Sequence, residues 1–310
     1  MTVKKQKYAC RRNYIVLPLC ILSILLLIID SESFTRYFYV GMMTSVKKIA
    51  PVLFPFMLTS GILINSGALN ILTELLRPLF KKTRVNPSIT GVCILGLVCG
   101  FPVGARCIKE LYGKGQITKK EADVMLLGTN CASPAFVICA IGAGIYHSVS
   151  FGFIVWCAAT LTSFFLMFAL LPKCPDKSIT RYTEANETIS TVISNSISKA
   201  TYSTVNICAI ISFFFMLTYY LKTRLMSLRV PNIIVGAICA ILEISSGCAV
   251  CAEISDSYNM LLCSFAVGFG GLSVYLQVKA EAHENADMRF YLLGKTVCGL
   301  ICALFVFLVL

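Results

Sequence analysis

Between residues 124 and 172 the chain carries no Asp, Glu, Lys or Arg. Roughly 20 apolar residues make a helix that spans the hydrocarbon of a bilayer, so this stretch holds two crossings. Its second part, 151–171, is one uncharged run, and further uncharged runs cover 14–29 and 257–278. Inside lipid every backbone N–H and C=O must pair within the protein, which leaves helices or closed barrels. Barrel strands read as runs of about ten alternating residues, and no such alternation occurs here. The expected fold class is all-α: a polytopic protein of the cell (inner or plasma) membrane, with the lipid bilayer as its first partner. Charged residues make up 14% of the chain and mean hydropathy is +0.80, against roughly 25% charged in a soluble globule.

The formal net charge of +12 raises nucleic acid as a partner. The basic residues, however, sit in short loops between apolar runs with few aromatics beside them. Arg77, Lys81, Lys82 and Arg84 form one such loop; Arg106, Lys109, Lys114, Lys119 and Lys120 form another. That is the positive-inside signature of membrane topology, and nucleic acid is set aside. The start, a basic stretch to Arg12 and an apolar run from Tyr14, reads as an uncleaved first span over 13–30, because no small-residue cleavage site follows Ile29.

Sixteen cysteines are scattered through the apolar runs, where they act as small hydrophobes. Cys248 and Cys251 have C-x-x-C spacing, but no second pair accompanies them and the chain has two histidines. No metal and no cofactor is expected.

Along the chain, 1–44 reads as tail, first span and linker, with the linker at 30–48. Residues 45–171 form a first repeat, 172–200 a polar linker, and 201–310 a second repeat. Residues 87–105 are uncharged and lie between two basic loops. A full crossing would put one loop on the wrong side, whereas a re-entrant hairpin keeps both inside. The second half has a corresponding segment at 230–252. The expectation is an inverted internal repeat with two re-entrant helical hairpins and broken helices. Interrupted segments at matching places in two halves point to a transporter's central site.

The breaks supply the candidate solute-binding residues. Gly100, Phe101, Pro102 and Gly104 disfavour continuous helix, because Pro lacks a donor and Gly permits left-handed backbone; a packing kink is the alternative. Asn130 and Ser133 precede Pro134, with Ser133 placed to cap the restarting helix or to glue helices together. Gly270, Gly271 and Ser273 form the mirror break, while Gln277 is read as interfacial. Asn65 and Ser66 are weaker candidates. Glu243 is the single charge between Arg229 and Glu253, followed by Ser245 and Ser246. An intramembrane carboxylate is a functional hypothesis by default, here coupling to a proton or cation, or solute contact. A structural ion pair with a residue such as Arg106 is the alternative. No catalytic residue is expected, since no G-x-S-x-G, H-E-x-x-H or phosphate-binding loop occurs.

Several of these stretches resemble a known family. Gly61-Ile-Leu-Ile-Asn-Ser-Gly67, Gly100-Phe-Pro-Val-Gly-Ala-Arg106, Leu111-Tyr-Gly-Lys-Gly-Gln-Ile117 and Asn130-Cys-Ala-Ser-Pro134 look like the YlbJ family of sporulation integral membrane proteins. They also look like the wider group carrying the nucleoside-recognition, or Gate, domain. Leu242-Glu-Ile-Ser-Ser-Gly247 and Phe269-Gly-Gly-Leu-Ser-Val274 are similar to that group's repeat. The resemblance implies a permease for a small polar or anionic solute, with dipicolinate during sporulation as the candidate cargo. A nucleoside-type carrier and a non-transporting membrane scaffold or assembly protein are the alternatives. Association into a homo-oligomer is compatible with each.

Overall fold

The structure is a computed structural model. It describes residues 17–18, 21, 24–25, 27–69, 71, 73–75, 87–172, 188–254 and 258–309, with residues 87 and 88 as backbone alone. Among these, regular structure is helical and no strand occurs, as the demand for internal backbone pairing in lipid requires.

Twelve helical elements position the site. α1 is Ser31–Asn65, α2 Pro87–Cys99, α3 Val103–Gly113 and α4 Lys119–Thr129. α5 is Ala135–Ala143, α6 Val149–Leu170 and α7 Ile189–Ser227. The rest are α8 Asn232–Leu242, α9 Ile244–Ala252, α10 Tyr258–Phe269, α11 Gly271–Glu281 and α12 Met288–Val309. Among the described residues five spans have the length and composition to cross a membrane: α1, α6, α7, α10 with α11 taken as one, and α12. The chain is a multi-pass membrane protein.

Two expectations about segment limits give way. The linker at 30–48 is helix: α1 runs 35 residues without interruption. Its π-helical turn at Ser45–Ile49 ends two residues before Pro51. A proline there cannot donate to the carbonyl four residues back and its ring collides with it, and the wider turn absorbs both problems. The linker at 172–200 likewise ends early. Thr188 caps α7, its Oγ1 accepting from the Thr191 N–H at 3.4 Å, and helix holds from 189 onward. Polar Ser and Thr made this stretch read as linker, yet tertiary packing along α7 buries Val192 and Ser196. The first span, 13–30, lies partly outside the described residues; those described up to 29 are helical.

Small residues bring backbones together. A Cβ on Gly142 would stand 2.7 Å from Gly152 Cα, and one on Gly268 2.9 Å from the Cys298 carbonyl, so α5 meets α6 and α10 meets α12 at backbone contact. Two helix pairs double back on themselves. In α2 and α3, a Cβ on Gly96 would stand 2.5 Å from the Thr129 carbonyl oxygen and one on Gly104 2.2 Å from the same atom. The two half-helices therefore converge on one oxygen, with the turn at 100–102. In α8 and α9, the Cys251 thiol reaches the Gly236 carbonyl at 3.6 Å, and a Cβ on Gly247 would stand 2.7 Å from the Cys239 carbonyl. These helices lie antiparallel, with Glu243 at the tip.

Candidate functional site

Four interruptions build the site, and each has a local cause. At the first, Gly100 takes φ +72°, a region open to glycine at little cost, and a Cβ there would lie 2.8 Å from Ser133 N. The freed backbone finds partners in the second break. Phe101 N–H donates to the Cys131 carbonyl at 2.9 Å, and Ala105 N–H donates to Asn130 Oδ1 at 3.0 Å. Asn130 Nδ2 donates to the Leu126 carbonyl at 3.0 Å, so one buried amide closes the end of α4 and holds the start of α3.

At the second break the expected cap forms. Phe136 N–H donates to Ser133 Oγ at 3.3 Å, and Val137 N–H donates to the Ser133 carbonyl at 3.1 Å. Pro134 opens the helix where its missing donor is harmless.

Glu243 forms the third. It is 1% exposed, and its carboxylate caps α9. Oε2 accepts from Ser245 Oγ at 2.7 Å and from Ser246 N–H and Oγ at 2.6 Å each, while Oε1 accepts from Ser245 N–H at 3.1 Å. Charge-assisted bonds from a helix N-terminus stabilise a buried carboxylate without a cation. The ion pair with Arg106 does not form. Arg106 Nε lies 3.6 Å from Glu110 Oε1, one helical turn along its own helix.

At the fourth break Gly270 and Gly271 take φ +91° and +81°. A Cβ on Gly271 would meet the Leu242 carbonyl at 3.2 Å and Glu243 Cα at 3.3 Å, so this break packs against the tip of the α8–α9 pair. Ser273 Oγ accepts from Gln277 Nε2 at 3.1 Å.

The tips of both doubled-back pairs open onto one cavity of about 660 Å³, within the usual size range of a small-molecule site. Of the expected residues, Phe101, Pro102, Ser133, Glu243, Ser245 and Ser246 line it. Gly100, Gly104, Asn130, Gly270, Gly271 and Ser273 lie behind the lining and hold the breaks in place. Asn65 and Ser66 are not brought in; they sit at the far end of α1, where Ser66 caps the helix. Gln277, read as interfacial, is 2% exposed and lines the cavity. Its signal was present, a long amide one turn beyond Ser273 in an apolar run. The rest of the wall carried no such signal. Phe56 from α1, Phe136 from α5, and Phe215 and Tyr219 from α7 give it a largely aromatic and aliphatic surface.

The charged lining residues are Glu243 and Lys48. Four half-helices, α3, α5, α9 and α11, start at the breaks and bring the positive ends of their dipoles toward this region. Cys248 lies 3.5 Å, sulfur to sulfur, from Cys263, and Cys251 is bonded to the Gly236 carbonyl. Among the described residues no group of three His, Cys, Asp or Glu side chains is placed to hold a metal.

Residues 46–171 match the Gate family, described as nucleoside recognition. Over an alignment of 302 positions the chain is 22% identical to the sporulation integral membrane protein YlbJ of Bacillus subtilis (strain 168), covering 84% of this chain and 73% of that protein. The resemblance carried by the glycine-rich motifs of the first half is borne out by both. No solved structure matches.

Proposed function

We propose that this multi-pass protein is a carrier for a small solute with a flat, apolar body and a polar or anionic edge. One observation carries the reading: the tips of two doubled-back helix pairs, from separate halves of the chain, line a single cavity with aromatic and aliphatic walls, and Ser133, Glu243, Ser245 and Ser246 bring polar groups to it at the breaks. Residues 45–171 and 201–310 act as two repeats of opposite orientation, and the pairs α2–α3 and α8–α9 act as re-entrant hairpins entering from opposite faces. The order of elements supports this: in each half a long helix is followed by a doubled-back pair, a broken helix and a final helix. Phe101, Ser133, Ser245, Ser246 and Gln277 contact the solute. Gly100, Gly104, Asn130, Gly270, Gly271 and Ser273 shape the breaks, and Glu243 couples solute passage to a proton, since protonation would loosen its hold on α9.

An aromatic dicarboxylate such as dipicolinate fits this chemistry and the sporulation context of the YlbJ relative. A nucleoside is the second reading, favoured by the description of the matching family. Uptake into proteoliposomes of dipicolinate, uridine and a set of small carboxylates discriminates them, with Glu243→Gln as the control. Movement of none of these solutes would leave the scaffold reading in possession.

A further inference from the structure

The first half of α12 holds a buried charge of another kind. Lys295 is 4% exposed and lies two turns in from Met288, about 10 Å along the helix. No carboxylate among the described residues comes within ion-pair distance of its ammonium. Nζ instead approaches Ser163 Oγ at 3.3 Å and Cys131 Sγ at 3.9 Å. The packing that delivers it there is tight. A Cβ on the preceding Gly294 would stand 2.4 Å from Leu127 Cδ2, so α12 lies directly on α4 and sets Lys295 against that helix's C-terminal end. The other ionisable groups around it are weak acids: Cys131, Cys298 and Tyr291, with Cys263 of α10 farther along beside Cys302. Asp123, at the other end of α4, is engaged by Lys119, His283 and the Asp287 N–H.

A lone ammonium in a membrane core is costly, and such residues are found where they act. The end of α4 is the negative end of a half-helix dipole, where transporters of this general construction hold a coupling cation. The break has two sides. Cys131 touches the lysine, while Ser133, about 7 Å further along the chain, lines the cavity.

We propose that the Lys295 ammonium is a resident cation of the transport core. It fills the site at the end of α4 that a bound cation would otherwise take, and from behind the break adds a positive charge to that of Lys48 on the cavity wall, so that an anionic solute is held. The assignment rests on the carrier reading above and adds to it that the solute is an anion and that sodium is not required. For an anion about 10 Å away, at an effective dielectric constant of about 20, loss of that charge would weaken binding of a monoanion about tenfold.

The first test needs no solute. The full chain is purified in detergent as parent, Lys295→Met and Lys295→Ala, and thermal unfolding is followed in methylammonium chloride and in choline chloride at equal ionic strength. Lys295→Met is expected to unfold no lower than the parent, because a well-packed apolar group replaces an unpaired buried charge. Lys295→Ala is expected to unfold lower and to recover in methylammonium but not in choline, with the parent indifferent to both. A Lys295→Met chain that unfolds several degrees below the parent, or an alanine variant that methylammonium does not restore, overturns the assignment. In the second test, sodium-free proteoliposomes are offered dipicolinate and its neutral diamide. The parent should take up the dianion, and Lys295→Met should lose at least tenfold for the dianion with little change for the diamide. Uptake that requires sodium, or equal losses for both probes, also overturns the assignment. A parent that moves neither probe removes dipicolinate as the solute without defeating the carrier reading, while the unfolding series still decides the cation site.

Discussion

The backbone N–H of Phe101 donates to the carbonyl of Cys131 at 2.9 Å. The tip of one doubled-back pair is thereby tied to the break in the next helix. Movement of α2 and α3 past α4 must break this bond together with the bond from Ala105 N–H to Asn130. The glycines that allow such proximity are the most exposed to mutational test.

Gly104→Ala should destabilise the protein by about 1–3 kcal/mol, the range for overpacking a close contact, because a Cβ there would stand 2.2 Å from the Thr129 carbonyl oxygen. Gly113→Ala, on the same helix with nothing within 4 Å, should be neutral or slightly stabilising. Thermal unfolding in detergent compares the two. Equal midpoints would contradict the backbone contact between α3 and the end of α4.

Glu243→Ala strips α9 of its cap and leaves the buried Ser246 donors unsatisfied, an expected loss of about 1–3 kcal/mol. Glu243→Gln keeps one acceptor oxygen but turns an amide N–H₂ toward hydroxyl and N–H donors. Its stability should lie between the parent and the alanine variant. A glutamine variant as stable as the parent would show that the charge on this carboxylate contributes little to the cap.

His283 lies in the turn between α11 and α12, packed on Tyr112 at 4.5 Å with its Nε2 3.3 Å from Asp123 Oδ1. Burial pushes its pKa below the usual 6.5, and the neighbouring Asp123 carboxylate only partly opposes this. The folded state therefore favours the neutral imidazole. That contribution to stability is complete above about pH 6.5 and declines as pH falls through the lower folded-state value. The unfolding midpoint should drop between about pH 7 and pH 5, and His283→Gln should flatten the drop. An unchanged slope in the variant would place the acid sensitivity elsewhere.

Ala249→Trp places a large ring on the cavity wall. It should abolish uptake of every solute the parent moves while shifting the unfolding midpoint by only a few degrees. Undiminished uptake would mean that the solute path lies outside this cavity.

Much of this arrangement was legible in the residues, and what was not has a physical reason. Gly100, Pro102, Gly270 and Glu243 announce their breaks because each contradicts continuous apolar helix at membrane depth. The apolar wall from Phe56 to Tyr219 gives no such signal, since a side chain facing a cavity and one facing lipid are chosen from the same residues. Lys295 gives no signal for a different reason. It lies only two turns inside a span that begins next to a polar turn, and sequence alone does not separate a buried lysine there from one reaching back to the interface. The helical starts of α1 and α7 read as linkers because exposed polar residues there outnumber the few positions, such as Phe34 and Val192, that are buried by packing the sequence does not place.

The length of α7 has a bearing on the bilayer itself. Thirty-nine residues make a rod of about 58 Å, close to twice the hydrocarbon thickness of about 30 Å. Near its C-terminal end the rings of Tyr219 and Tyr220 pack on Tyr37 and Phe34, and Arg224 lies over the Tyr220 ring, which ties this end of α7 to the start of α1. Differences in membrane thickness would then be taken up at the other end, where α7 begins in serines and threonines that are at home in water or against protein. A thinner or thicker membrane would slide the protein about one fixed collar rather than stretch it between two.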